Sequence, residues 1–293
     1  MKKIIVLTPT YNHPEHLKLL YESLKKQLYK NFIWLIVDDG SKIETFKTIE
    51  KFQKEDILDI KYIRQENQGK SSAINQGFNE ISTELFVLIV DDDEYLFENA
   101  LENVSKYVDK YKDTNCGVID FLHSFKNKKN DYKIKEDYFM TLQERKNRRL
   151  DSDGYTGYFV KALKNTRFPI YKNEKYIGPS VLLMLVSKNW QVLWSNCILG
   201  ETEYLEKGIT AQGRKLRINN PQGMIHYCML LQEEDSNIFI KLKYSIYAYA
   251  YLYYSKLGKK IFIKNNIDFN KFIFWAKFPG FILNIYWRIK YNK

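Results

Sequence analysis

Cysteine is scarce in this chain: Cys116, Cys197 and Cys228 are the only three in 293 residues. An odd number without paired spacing supports neither a disulfide framework nor a zinc site, and is read as three ordinary buried thiols in a reducing compartment. Long apolar runs are missing too. None approaches the roughly 20 residues needed to cross a bilayer, and Ile4 to Leu7, after Met1-Lys2-Lys3, is far shorter than the apolar region of a signal peptide. There is no internal repeat and no low-complexity linker. Acid is missing from the tail: residues 237–293 hold 11 Lys/Arg against the single Asp268, whereas residues 1–236 are nearly balanced at 35 against 34. Almost all of the net charge of +11 therefore lies in the tail. A nucleic-acid binder would line a groove with its cations; here they lie in a greasy tail, and no nucleic-acid partner is expected.

The acids that are present concentrate in one place. Leu85-Phe86-Val87-Leu88-Ile89-Val90 reads as a strand buried on both faces, and Asp91-Asp92-Asp93-Glu94 follow where it would leave the sheet. Adjacent carboxylates raise one another's pKa, so the run calls for a divalent cation or ligand hydroxyls against it. The carboxyl end of a buried strand is where open α/β sheets bind ligands.

The first 125 residues alternate strand and helix patterns. Strands are expected at Ile4–Leu7, Phe32–Val37, Ile60–Arg64, Leu85–Val90 and Gly117–Phe125. Helices are expected from Pro14 to about Gln27, Ile43 to about Phe52, Ser71 to Glu80 and near Phe97–Tyr111. This predicts an α/β fold with a mostly parallel sheet flanked by helices. Each strand then opens into a loop of distinct chemistry: Thr8-Pro9-Thr10-Tyr11-Asn12, Asp38-Asp39-Gly40-Ser41, Glu66-Asn67-Gln68-Gly69-Lys70, and the acidic run. Taken singly these are ordinary turns. Together on one sheet edge they offer an aromatic face, a carboxylate for an imide N–H, a close backbone approach and metal-binding acids, a set suited to a pyrimidine nucleotide and its pyrophosphate. Asp38-Asp39 would also suit a phosphoacceptor signalling domain, but that arrangement calls for acids after the first strand.

At these residues the chain resembles the family 2 glycosyltransferases of the GT-A (Rossmann-like) fold. The resemblance rests on Thr8 to Asn12, Val37 to Ser41, Asn67-Gln68-Gly69 with Ala73, Asn75 and Gly77, and Asp91-Asp92-Asp93. It implies that Pro9 and Tyr11 border a uracil, that Asp39 accepts its N3–H, and that Gly69 and Lys70 lie along the nucleotide. Asp91 and Asp93 then form the D-x-D element, with Asp93 the direct metal ligand, Asp91 nearer the ribose and also counted as a ligand, and Asp92 among the nucleotide-binding residues. Mn2+ or Mg2+ is the implied cofactor and a UDP-sugar the donor. The departure is Glu94, where the family usually has a fourth Asp.

A looser resemblance, to a bacterial surface-polysaccharide branch of the family, runs from Tyr158 to about residue 232 through Asn173-Glu174-Lys175-Tyr176-Ile177, Glu203-Tyr204-Leu205 and Gly213-Arg214-Lys215. That branch has a Pro-Glu pair where this chain has Gly178-Pro179, and the Glu would serve as base. Inverting transfer requires a group to take the acceptor's proton. Glu174, Glu201, Glu203 and Asp153 are the nearest carboxylates in sequence; Glu203 ranks first because it belongs to the matched run, with Glu174 next. A relative that binds nucleotide sugar without turnover is the alternative. Arg214 and Lys215, after Gly213, would touch the departing diphosphate or else form a plain solvated basic turn.

Residues 127–149 are charged and poor in apolar residues, and are expected to form an exposed loop or mobile helix beside the acceptor. The last 57 residues carry 17 aromatics. Ile238–Ser255 is expected to be a helix packed on the catalytic domain. The stretch from Phe272 to Arg288, apolar but broken by Pro279-Gly280, reads as an interfacial segment on an anionic membrane surface, with a helical core layer or an oligomer contact as the other readings. The expected organisation is a transferase domain over 1–232, split into a nucleotide half (1–125) and an acceptor half (126–232), followed by a helical extension over 233–293. The enzyme is expected in the cytoplasm, peripheral at the inner face of the plasma membrane, acting on a saccharide or lipid-linked acceptor.

Overall fold

The computed structural model describes residues 3–82, 84–126, 134–150, 154–202, 213–234, 237–255, 262 and 267–291. The elements follow in order as β1 (Ile4–Thr10), α1 (Pro14–Lys25), β2 (Phe32–Asp38), α2 (Ile43–Glu55), β3 (Ile60–Arg64), α3 (Lys70–Asn79), β4 (Phe86–Ile89), β5 (Glu94–Leu96), α4 (Ala100–Tyr111) and β6 (Cys116–Phe125). Then come β7 (Tyr138–Phe139), α5 (Leu142–Asn147), β8 (Gly154–Phe159), α6 (Val160–Leu163), α7 (Ser180–Ser187), β9 (Gln191–Thr202), α8 (Gly213–Ile218), α9 (Pro221–Glu234), α10 (Ile238–Ser255) and α11 (Lys277–Tyr291). Every element expected in the first 125 residues is present within a few residues of its expected bounds.

The chain forms two compact units, Met1–Arg167 with Val186–Tyr204, and Phe168–Leu185 with Leu205–Lys293. The first is built on a sheet ordered β3-β2-β1-β4-β8-β6-β9-β5, with β7 beside β9. From β3 to β4 the pairing is parallel, as expected, and all seven residues of both β1 and β2 are buried. Beyond β4 the sheet is mixed: β8 runs antiparallel between β4 and β6, and β9 is parallel to β6 but antiparallel to β5. Pro14 starts α1 at a position where a missing N–H costs nothing. Leu17, Leu20, Tyr21 and Leu24 repeat at helical spacing and are buried on the sheet, each such side chain contributing roughly 1.5–3 kcal/mol. Tyr21 stacks on Phe52 of α2 with centroids 4.1 Å apart.

The second unit is helical among its described residues. α10 packs along α9 and α11, and Ser245 Oγ donates to Gln232 Oε1 at 3.3 Å. The boundary expected after residue 232 is therefore not where the units part. Residues 168–185 and those from 205 onward group with the tail, and α9, buried almost all round, packs along α10. Helical periodicity shows that a face is apolar, not which helix will cover it.

Two local expectations also change. Pro279 does not break the tail helix: α11 starts at Lys277 and Pro279 falls in its first turn, where proline is tolerated. Within 127–149, the part described from Ile134 onward is packed. Ile134, Met140 and Leu142 are buried, a Thr141/Glu144 capping box starts α5, and the Arg145 guanidinium lies 3.9 Å above the Trp194 ring.

Candidate functional site

The carboxyl ends of β1, β2, β3 and β4 are stitched together by side chains whose partners lie in neighbouring loops. Asp39 N–H donates to Thr10 O at 2.9 Å. Asn12, in a left-handed conformation, donates its N–H to Ser41 Oγ at 2.8 Å and accepts the Lys42 N–H on Oδ1 at 2.7 Å. Buried Asp38 accepts from Ser41 N–H at 2.7 Å and from the Tyr62 hydroxyl at 2.9 Å. Gly40 turns the chain at φ +81°, and a Cβ there would sit 2.9 Å from the Asn67 nitrogen, so the β2–α2 and β3–α3 loops can touch only through glycine. A cleft of about 440 Å3 opens beside them, lined by Gly40, Arg64, Gln65, Glu66 and Asn67.

Asp39 is the centre of this arrangement. Its Oδ1 accepts the Gln65 amide at 2.7 Å and the Gln68 N–H at 2.8 Å, and its Oδ2 accepts the Gly69 N–H at 2.8 Å. A carboxylate has about four lone-pair sites, so one remains for a ligand donor. Pro9 is buried within β1, paired with Val37, while Tyr11 just beyond it is exposed.

In the acidic run the four acids have different surroundings. Lys70, the first residue of α3, is ion-paired with Asp91 Oδ2. Burial works against the Lys70 charge, but the ion pair with Asp91 and the nearby Glu94 and Asp93 charges together raise the ammonium pKa. Asp91 Oδ1 is buried without a hydrogen-bond partner. Asp92 is buried and committed to the protein: it accepts from Thr10 Oγ1 at 2.6 Å, and His13 Nδ1 lies 3.2 Å from both of its oxygens. That bond raises the His13 pKa. Asp93 is raised by burial first and by the Asp91 and Asp92 charges second. Burial lifts Glu94 to about 7, with the Asp91 charge adding to it; Glu94 Oε2 accepts the Asp91 N–H at 2.9 Å, and His123 Nδ1 lies 3.8 Å from Oε1.

Two sets of groups here could hold a cation. Asp91 and Asp93 offer hard carboxylate oxygens. His13, His16 and Asp92 bring three ligand atoms within 4.8 Å of one another. Sequence reasoning passed over these histidines; the visible signal was His-x-x-His across the start of α1, directly after the first strand loop.

The structure thus brings Pro9, Tyr11, Asp39, Gly69, Lys70, Asp91, Asp92 and Asp93 to one edge of the first unit. It gives Arg214 and Glu174 other work in the second. Arg214 donates to the Tyr251 hydroxyl at 3.0 Å, with its guanidinium 5.1 Å from the Trp287 ring centroid. Glu174 accepts the backbone N–H groups of Gln222 at 2.7 Å and Gly223 at 2.9 Å, capping the start of α9. Burial raises the Glu174 pKa against those bonds. Glu203 lies outside the described residues. Its chain neighbour Thr202 ends β9 and pairs with Glu94 of β5, at the end of the acidic run.

Comparison with known proteins gives consistent findings. A family model described as Glycosyl transferase family 2 matches residues 5–167. The GalNAc(5)-diNAcBac-PP-undecaprenol beta-1,3-glucosyltransferase of Campylobacter jejuni is 27% identical over 218 residues, 71% of this chain and 63% of that protein. Glycosyltransferase GlyA of Streptococcus pneumoniae is 34% identical over 110 residues, 38% of this chain and 16% of that protein. Each match spans less than two thirds of the relative's length. Among solved structures, S. aureus TarS 1–349 in complex with UDP superposes with a TM-score of 0.64 at 18% identity, covering 99% of this chain and 92% of that one. A mannosyltransferase from Pyrobaculum calidifontis, in complex with GDP-Man and Mn2+, gives 0.59 at 12% identity, covering 97% and 87%. These likenesses establish the fold.

Proposed function

The chain belongs to glycosyl transferase family 2, and we propose that it moves a sugar, with inversion, from a UDP-sugar to a saccharide or lipid-linked acceptor in bacterial surface-polysaccharide assembly, peripherally at the inner face of the plasma membrane. The observation that carries this reading is the Asp91 carboxylate. One oxygen is ion-paired to Lys70 and the other is buried without a partner, beside an Asp93 that burial first, and the Asp91 and Asp92 charges second, hold above the ordinary carboxylate range.

These residues fit a divalent cation, Mn2+ or Mg2+, held by Asp93 and Asp91. Such a cation supplies charge neutralisation on the diphosphate oxygens. The protein's own groups do the rest. Tyr11 and Pro9 border the base, Asp39 offers its remaining acceptor site to the imide N–H, and the Gly69–Lys70 segment lies along the nucleotide. Glu203 takes the acceptor hydroxyl's proton as that oxygen bonds to the anomeric carbon and the bond to the diphosphate breaks. Glu174 is already engaged as a helix cap and Arg214 with the Tyr251 hydroxyl, so both rank behind Glu203 and the first unit's own groups.

One observation favours a second reading, a relative that binds donor without turnover: Glu174 is occupied as a helix cap, in a chain whose resemblance to the branch implies a base where Pro179 stands. A single experiment separates the two. Binding and hydrolysis of a panel of nucleotide sugars are measured on one preparation, with Mn2+ and with EDTA. Metal-dependent hydrolysis of a UDP-sugar, lost in Asp93→Ala with the fold intact, supports the enzyme. Binding without hydrolysis of any donor supports the second reading, and activity indifferent to EDTA removes the metal assignment.

A further inference from the structure

The last helix is amphipathic the wrong way round for a helix that ends at water. α11 faces α10 with Gly280, Asn284 and Trp287, spaced i, i+4, i+7. Gly280 fits there because a Cβ would lie 2.7 Å from the Tyr249 Cβ and 3.0 Å from the Ile246 carbonyl oxygen. Asn284 Nδ2 donates to Ala250 O at 3.4 Å, and Arg288 Nε donates to Asn284 Oδ1 at 3.1 Å. The inward face thus holds a glycine, an amide and one ring.

The opposite face holds the greasy side chains. Phe278, Ile282, Ile285 and Ile289 recur at helical spacing and are all exposed, Phe278 by 72% and Ile289 by 69%, while Phe281 at the margin packs edge-on against Tyr253 of α10. Trp275, in the short 3-10 turn before the helix, is 81% exposed. A stripe of this kind is not the scattered surface leucine of ordinary proteins; it marks an interaction surface.

Charge decides which partner. From Phe269 to Tyr291 there is no acidic residue. Lys277 and Lys290 stand at the two ends of the face, about 20 Å apart along the helix axis at 1.5 Å per residue. Each spreads its ammonium over a ring, Lys277 over Phe274 at 3.5 Å and Lys290 over Tyr286 at 5.6 Å from the centroids. No described helix is long and apolar enough to cross a membrane. Rings and branched aliphatics between terminal cations are what a helix needs to lie in the plane of an anionic lipid surface.

We propose that the Phe278–Ile282–Ile285–Ile289 face of α11, with Trp275 beside it, is a membrane-docking surface that inserts among the headgroups of an anionic bilayer. The assignment deepens the membrane location proposed above and rests on it. Because the face lies on the outside of a helix whose inner side already holds it in the second unit, changing it leaves the fold in place.

The test uses the full chain with vesicles of phosphatidylcholine alone and of phosphatidylcholine with phosphatidylglycerol, at about 50 mM and about 500 mM salt. The expected result is sedimentation with the anionic vesicles at low salt, reduced roughly tenfold in high salt, and a blue shift of tryptophan emission that Trp275→Phe diminishes. The Ile282→Glu/Ile285→Glu double variant is expected to stay folded by circular dichroism, to hydrolyse donor as the wild type does, and to lose vesicle binding. Donor hydrolysis on the same samples keeps failure of transfer apart from failure of docking. Two results overturn the proposal: a wild-type chain that ignores anionic vesicles at both salts, or a wild-type oligomer that the double variant splits into monomers while vesicle binding is absent in both, which makes a second copy the occupant.

Discussion

Asp39 Oδ2 accepts the Gly69 backbone N–H at 2.8 Å, joining the end of β2 to the start of α3 across thirty residues of chain. The same carboxylate holds the Gln68 N–H. Asp39, proposed to read the base, is therefore also the clamp that shapes the Gln68–Gly69 loop, so both tasks would share one side chain.

Asp39→Asn tests that double role. An amide has one acceptor oxygen and presents N–H groups where the loop also presents N–H groups, so at least one loop donor loses its partner. Leaving a buried donor unpaired costs about 1–3 kcal/mol, to be read as a lowered urea midpoint. UDP affinity should fall as well. A variant with normal stability and weakened UDP binding would confine Asp39 to recognition of the base.

The two candidate bases should behave differently. Glu203→Gln keeps shape and removes basicity, so kcat is expected to fall by about 10² to 10⁴ with donor affinity little changed. Glu174→Gln disturbs a helix cap; the expected loss is about 1 kcal/mol of stability, with kcat near wild type once the protein is folded. If Glu174→Gln is folded and inactive while Glu203→Gln is active, the roles are reversed.

Glu94 predicts a pH dependence. Its carboxyl keeps its proton up to about 7 in the folded protein, against 4.5 ordinarily, because it is buried. The fold therefore gains from the protonated form, a contribution complete below about pH 4.5 and lost as pH rises through about 7. Glu94→Gln retains an acceptor for the Asp91 N–H and cannot ionise. In EDTA, denaturation midpoints should show the variant gaining on the wild type as pH rises over that interval. A difference that stays flat between roughly pH 5 and 8 would show that Glu94 ionises normally.

Arg214→Lys tests whether that cation serves the second unit's own packing. A planar guanidinium bridges the Tyr251 hydroxyl and the Trp287 face at once, and an ammonium does not. Lower thermal stability with donor hydrolysis retained is the expected result. Unchanged stability with impaired hydrolysis would move Arg214 to the nucleotide.

The sequence alone determined the alternation of strands and helices over the first 125 residues, the mostly parallel sheet they build, and the four loops at its edge. Buried parallel strands read as continuous apolar runs, and the polar residues that end them are local features, visible without a partner in view. The helix over Ile238–Ser255 was legible for the same reason. Only the tertiary structure decided what each polar group meets. The resemblance set Asp92 apart from Asp91 and Asp93 but counted it toward the nucleotide, and that its carboxylate is committed to the protein was not visible until Thr10 and His13 were seen against it. Glu174 looked like a free acid until the start of α9 came to it from almost fifty residues away. Likewise, the spacing in α11 shows an apolar stripe, but a helix can turn either side inward; the close approach of α10, which admits Gly280 and no larger residue, put the small face inside and left the large one exposed. Period is written in the chain, whereas the direction a face points is settled by whatever packs against it.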